Sequence, residues 1–255
     1  QKDALSLLGF GTMRLPQLDG GVIDEVQVQQ MVDYAMAHGI NYFDTAYPYH
    51  GGMSEVVLCK YLNQYPRDSY YLADKYPGHQ IAEKYDPAEI FEKQLEKTGM
   101  EYFDFYLMHA QDKRLFEKYK KHNAYETALE FLKEGKIKHF GISFHDKAEV
   151  LEEILTEYPQ IEVVQIQFNY VDYDDASVQG RKVYEVCRKF NKPIIIMEPV
   201  KGGALANIPS SAVTLLSSLD KKMSVASWAV RFAASLPNVE MVLSGMSDEA
   251  QVNDN

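Results

Sequence analysis

The sequence predicts an α/β fold, a (β/α)8 barrel, on three observations. Short β-branched and aromatic runs alternate with amphipathic helical stretches, there are eight such runs, and their starts from residue 42 to residue 241 recur about every 33 residues. That interval is the length of one strand, one loop and one helix together. Several runs are apolar at successive positions, as strands covered on both faces are. A doubly wound sheet would carry a Gly-rich phosphate turn after its first strand. Here that strand ends Gly9-Phe10-Gly11-Thr12-Met13-Arg14, without GxGxxG spacing.

The elements follow in order. Leu7–Phe10 is the first strand. Val28, Met31, Val32, Ala35 and Met36 then form a helical stripe, with Asp24 as its cap and Gly39 as its stop. Tyr42–Phe43 and Tyr70–Ala73 are the next strands, and Ala88, Phe91 and Leu95 mark a helix begun by Asp86-Pro87 and ended by Gly99. After the strand Phe103–Met108, a helix carrying Tyr125, Ala128, Leu129 and Leu132 stops at Gly135. The strand His139–Ile142 leads to a helix with Leu151, Ile154, Leu155 and Tyr158, where Asp146 and Glu149 resemble a capping box. Val163–Ile166 precedes the stripe Val183, Val186, Cys187 and Phe190, and Pro193–Met197 precedes an interval, 198–222, read as a loop and a short helix. Ala226, Ala229, Val230 and Ala233 form the last clear stripe before the strand Met241–Leu243. No linker or composition break divides residues 1–255, which read as one domain. Only about a dozen residues, Ser244 to Asn255, follow the eighth strand, so the barrel is expected to be cut short near its final helix.

Composition narrows the function. Twenty-six Lys and Arg against 37 Asp and Glu give a net charge of −11, which argues against nucleic-acid and anionic-membrane partners and requires a local cradle for any phosphate-bearing ligand. No apolar run approaches a membrane span, and the first twenty residues lack the regions of a signal peptide, so a cytoplasmic location is expected. Cys59 and Cys187 stand far apart with no CxxC or His-rich neighbourhood; both read as small buried apolar residues, and no metal is expected.

In such a barrel the chemistry lies at the carboxyl ends of the strands. Asp44 ends the second strand with Tyr49 five residues on, Asp74 and Lys75 follow the third, and His109 follows the fourth. Asp, Tyr, Lys and His on adjacent strands form a coherent set for proton-coupled hydride transfer. A tyrosine beside a buried ammonium is expected to have a lowered pKa and to act as a general acid, with the Asp holding the Lys charged.

These residues resemble the aldo-keto reductases. The resemblance is carried by Leu8 to Pro16, Gly39 to Ala46 with Tyr49, Lys75, Leu107-Met108-His109, Gly135 to Lys138 leading to Gly141-Ile142-Ser143, and Glu198-Pro199. It implies a barrel enzyme that moves hydride from a reduced nicotinamide, usually NADPH, to a small carbonyl substrate. Tyr49 would protonate the forming alkoxide, Lys75 would depress its pKa, Asp44 would pair with Lys75, and His109 would orient the carbonyl. On the cofactor side it implies Gly11, Thr12, Met13, Arg14 and Asp44; Ser143 and Gln165 for the carboxamide; and Met197, Val200 and Gly202 along the ring and pyrophosphate. Gly245, Met246, Ser247, Gln251 and Asn255 would meet the adenosine phosphate. The chain departs from the family at Phe144, where Asn is usual, and at Met197, where many members stack a tyrosine. Gly245 and Gln251 stand where strong NADPH users often place Lys and Arg, which leaves NADH open.

The motifs Gly9 to Pro16, Met108-His109-Ala110, Ser143-Phe144-His145 and Met197 to Gly203 resemble a subgroup with a C-terminal ferredoxin-like iron–sulfur extension. A cluster of cysteines is expected if the protein extends past Asn255, and an iron–sulfur cluster only in that case. The alternative is a cofactor-binding regulatory or redox-sensing subunit with little turnover. A barrel isomerase or hydrolase would need a phosphate or metal site at this rim, and no His/Asp/Glu ligand set stands there. Tyr47, Tyr49, His50 and Tyr76 are expected to line a partly aromatic pocket.

Overall fold

A computed structural model of the chain describes residues 4–78, 80 and 86–255. Eight parallel strands, β1 (Leu8–Gly11), β2 (Tyr42–Asp44), β3 (Tyr71–Tyr76), β4 (Phe103–Gln111), β5 (Ile137–Phe144), β6 (Val163–Gln167), β7 (Ile194–Met197) and β8 (Val239–Gly245), pair in sequence order. The ring closes where β8 pairs with β1, from Leu8↔Val242 to Gly11↔Gly245. Every predicted run falls on a strand. The ladders carry β3 and β4 further than the apolar runs do, so that Asp74, Lys75 and His109 lie within strands.

Ten α-helices surround the strands: α1 (Glu25–Ala37), α2 (Met53–Leu62), α3 (Pro87–Thr98), α4 (Lys113–Lys121), α5 (Ala124–Glu134), α6 (Ala148–Glu157), α7 (Gly180–Lys189), α8 (Ser210–Leu219), α9 (Val225–Ala234) and α10 (Glu249–Asp254) among the described residues. Local chemistry fixes several ends. The Asp24 and Asp86 side chains accept the amides of Gln27 and Ala88, and Gly99 and Gly135 end α3 and α5 at φ 68° and 76°. The capping box expected at α6 does not form. Lys147 occupies the cap position, while the Asp146 carboxylate accepts the amides of Lys113 and Lys147 and so ties α4 to the β5 loop.

Two apolar regions result. The barrel lumen holds Tyr42, Ala73, Phe105, Leu107, Val163, Ile195, Met241 and Leu243, and a larger cluster fills the layer between strands and helices. Side chains alternate along a strand, so the residues two positions beyond these lumen residues emerge at its carboxyl-terminal mouth. They are Asp44, Lys75, His109, Gln165, Met197 and Gly245. The lumen is tight: a Cβ on Gly9 would lie 2.4 Å from the Met241 sulfur, and one on Gly141 2.6 Å from the Val163 carbonyl oxygen. Among the described residues no helix is long and apolar enough to cross a membrane.

Candidate active site

At the mouth, the Lys75 ammonium is ion-paired with Asp44 Oδ1 and donates to the Thr45 carbonyl at 2.7 Å. Both side chains are sealed from solvent, at 1% and 2% exposure. Gln165 Nε2 donates to the second Asp44 oxygen at 3.1 Å. Tyr49 comes from the loop after β2, in a single helical turn kinked by His50 at φ 52° and Gly51 at φ 64°. That turn lays the phenol ring 5.1 Å from Lys75 Nζ. The His109 ring meets Tyr49 edge-on at 5.8 Å and 78°. All four residues expected from the strand ends are thus brought together.

Their electrostatics differ from the expectation in one respect. Burial alone would push the Lys75 ammonium down, but the Asp44 carboxylate, paired and hydrogen-bonded to it, lifts it, and the net direction is up. Lys75 is held charged. For Tyr49, burial raises the phenol and Asp44 adds to the rise, outweighing the downward pull of Lys75. The lowered phenol pKa expected from the neighbouring ammonium is therefore reversed: the cost of a desolvated phenolate exceeds the attraction of one cation that is already neutralised by Asp44.

The pair is braced by polar groups of which the sequence reading singled out only Thr12, and that for the cofactor side. Ser54 Oγ donates to Thr12 Oγ1, Thr12 Oγ1 donates to the Asp44 carbonyl, and Thr45 Oγ1 lies 2.9 Å from Ser54 Oγ, which ties β1 and β2 to α2. Behind β3, Gln94 Nε2 bridges Glu55 Oε1 and the Lys75 carbonyl, while Lys97 pairs with the other Glu55 oxygen and Tyr106 donates to Gln94. The available signals were a glutamate beside the apolar run Val56-Val57-Leu58 and a glutamine three residues after Phe91 on a buried stripe.

A cleft of about 1280 Å³ opens over these residues. Gly11, Met13, Arg14, Asp44, Tyr49, His109, Gln165, Met197, Val200, Gly202, Gly245, Ser247, Gln251 and Asn255 line it. Four expected residues stand behind the wall. Lys75 lies under Tyr49, Thr12 belongs to the hydroxyl chain, Ser143 Oγ accepts the Ala110 amide at 2.8 Å, and Met246 packs in the outer core. Tyr47 and Tyr76 also lie off the cleft, contrary to the expected pocket. Lys97 covers the Tyr47 ring at 4.4 Å, and Tyr76 is buried edge-on against Tyr119. Tyr49 and His50 line the cleft as expected, together with His145, Gln80 and Gln167.

The donor set fits a nicotinamide dinucleotide. Gly11 and Gly245 face each other in register and leave a floor of bare backbone, Met197 and Val200 give an apolar wall, and the Gln165 carboxamide stands beside Asp44. Arg14 packs across Gly245 and pairs with Glu198 at 3.4 Å at the open rim. The start of α10 carries its own acceptors, since Asp248 caps the Gln251 amide and Gln251 Oε1 takes the Ser247 amide.

Fold and site define a (β/α)8 barrel with a buried Asp–Lys pair under a tyrosine at its carboxyl-terminal mouth. Residues 7–255 match the Aldo/keto reductase family, and the chain belongs to that family. It is 26% identical over 225 residues to a probable aldo-keto reductase 1 of Glycine max, covering 82% of this chain and 61% of that protein. It is 24% identical over 224 residues to the NADH-specific methylglyoxal reductase of Escherichia coli (strain K12), covering 79% and 65%. The chain thus spans less than two thirds of the length of these curated relatives. In fold it is similar to an aldo-keto reductase from Klebsiella pneumoniae in complex with NADPH, with a TM-score of 0.79 at 18% identity over 98% of this chain and 84% of that one.

Proposed function

We propose that the protein reduces an aldehyde or ketone to an alcohol with hydride from a reduced nicotinamide dinucleotide, NADPH or NADH, and that Tyr49 is the general acid. The observation that carries this reading is the buried Asp44–Lys75 pair under the Tyr49 ring, with His109 edge-on to the same ring. The dinucleotide, when bound along the glycine floor, supplies the hydride. Tyr49 holds the proton, because burial keeps its phenol neutral. As that proton passes to the carbonyl oxygen, Lys75 is the cation beside the phenolate left behind, and Asp44 with Gln165 keeps Lys75 charged and in place. His109 orients the oxygen next to Tyr49. Met197 and Val200 keep water from one wall of the cleft. A cytoplasmic location is part of the reading, supported by Cys59 and Cys187, both free and buried.

Tyr49→Phe tests it. The variant is expected to lose carbonyl-dependent consumption of NADPH or NADH by about a hundredfold or more, the range of a lost general acid. Dinucleotide affinity, followed by quenching of Trp228 and tyrosine fluorescence, is expected to stay within about twofold, since the Tyr49 hydroxyl leaves floor and wall intact. An undiminished rate rejects Tyr49 as the acid. Tight binding without turnover in the unmodified protein supports the sensing alternative.

A further inference from the structure

His109 stands on a distorted stretch of β4. The ladder with β5 runs from Phe103↔Ile137 to Met108↔Ile142 and resumes at Gln111↔Phe144, and between them Ala110 has φ 55°. That is the left-handed region, costly for a residue with a Cβ, and such strain persists only where the surroundings over-determine it. The bulge turns the peptide between His109 and Ala110 out of the ladder, and side chains receive both of its polar groups. The Ala110 N–H donates to Ser143 Oγ at 2.8 Å. The His109 carbonyl accepts from the Tyr119 hydroxyl at 2.8 Å and from Gln111 Nε2 at 3.2 Å.

These donors are themselves held. The Tyr125 hydroxyl donates to Gln111 Oε1 at 2.6 Å, and Tyr119 reaches the Tyr76 carbonyl at 3.3 Å. Gln111, Tyr119 and Tyr125 are fully buried in an otherwise apolar layer under α4 and α5. Glycine at position 78 makes room for the Tyr119 ring, whose nearest atom would lie 2.2 Å from a Cβ there. A carboxamide and two hydroxyls in such a layer are tolerated only when mutually satisfied. Gln111 and Tyr119 meet at the carbonyl of His109, whose ring is set edge-on to Tyr49, and Tyr125 holds Gln111 from behind.

We propose that Tyr119 and Gln111 are positioning residues, which hold the Ala110 bulge and thereby set the His109 imidazole against Tyr49. The predicted effect on rate rests on the reductase reading; the geometric claim does not. Tyr119→Phe keeps the ring and removes the hydroxyl, and Gln111→Met keeps the length and removes the carboxamide. Tyr184→Phe is the control, because it removes an equally ordinary bond, to the Pro237 carbonyl at 3.0 Å, from α7. In histidine-selective NMR spectra of the free protein, the His109 ring resonances are expected to move in both test variants and to stay in place in the control. The kcat is expected to fall about tenfold in both, as a misplaced orienting group requires, with dinucleotide affinity within about twofold of the unmodified protein. Unmoved His109 resonances in the test variants overturn the proposal, and so does an equal loss of kcat in Tyr184→Phe. If the unmodified protein turns over no carbonyl, the NMR comparison decides alone. If Tyr119→Phe does not fold, Gln111→Met decides.

Discussion

Asp74 lies one position before Lys75, fully buried, with its Oδ1 accepting the Lys75 amide at 2.7 Å. Burial raises its pKa well above the ordinary 3.8, the neighbouring Glu55 carboxylate raises it further, and the Lys75 amide and ammonium offset only part of the rise. The folded protein therefore holds this proton more tightly than the unfolded chain does. Its contribution to stability is full below the unfolded pKa near 3.8 and is lost as pH rises through the raised folded pKa. Asp74→Asn keeps the shape and the amide acceptor and needs no proton. Its melting temperature relative to the unmodified protein is expected to converge at about pH 4 and to rise as pH climbs above that, until the raised folded pKa is passed. A difference independent of pH would mean that Asp74 ionises normally. At this scale the cluster proposed to react was legible, because Asp44, Lys75 and His109 stand at the ends of apolar runs and Tyr49 follows Asp44 by five residues. The direction of the Tyr49 shift was not, because burial decides it and burial belongs to the folded molecule. The braces were hidden as well: Glu55, Gln94 and Lys97 read as ordinary helical polar residues until the fold brings them behind Lys75.

At the scale of elements, all eight strands were visible as apolar runs, and six helices as apolar stripes, four of them with a cap or a closing glycine. α2 escaped because Ser54, Glu55, Val57, Leu58, Cys59, Tyr61 and Leu62 are all buried, leaving no polar face to set a period. α4 escaped because Leu115, Phe116 and Tyr119 are its only buried residues in nine. The α6 cap failed because two acceptor oxygens on Asp146 found amides outside the helix start that Glu149 would have shared. Gly141 shows how tightly β5 meets its neighbours. Gly141→Ala would set a Cβ 2.6 Å from the Val163 carbonyl oxygen and 2.7 Å from Leu107 Cδ2. Backbone of a barrel strand cannot move aside freely, so a loss of about 1–3 kcal/mol is expected, read as a lower denaturant midpoint with unchanged slope. An unchanged midpoint would show that the lumen relaxes at no cost.

At the scale of the whole molecule, the net charge of −11 has the same sign as the proposed dinucleotide, so affinity is expected to come from the shaped cleft rather than from the mean field. A ligand that binds only the folded barrel stabilises it by mass action. NADPH or NADH at about a hundred times its Kd is expected to add about 2.7 kcal/mol, seen as a rise in Tm of roughly 5 to 10 °C. No rise with either dinucleotide would reject the cofactor site. The seam between β1 and β8 carries one more consequence, in time rather than in space. Leu8 and Val242, Gly11 and Gly245 are partners drawn from opposite ends of the sequence, whereas every other strand pairs with its successor. Neighbouring strands can find each other early, but the seam must wait for the longest loop closure in the chain. The glycine floor of the cleft lies on that seam, so dinucleotide binding there is expected to require the closed barrel, and a bound ligand to report a chain whose two ends have met.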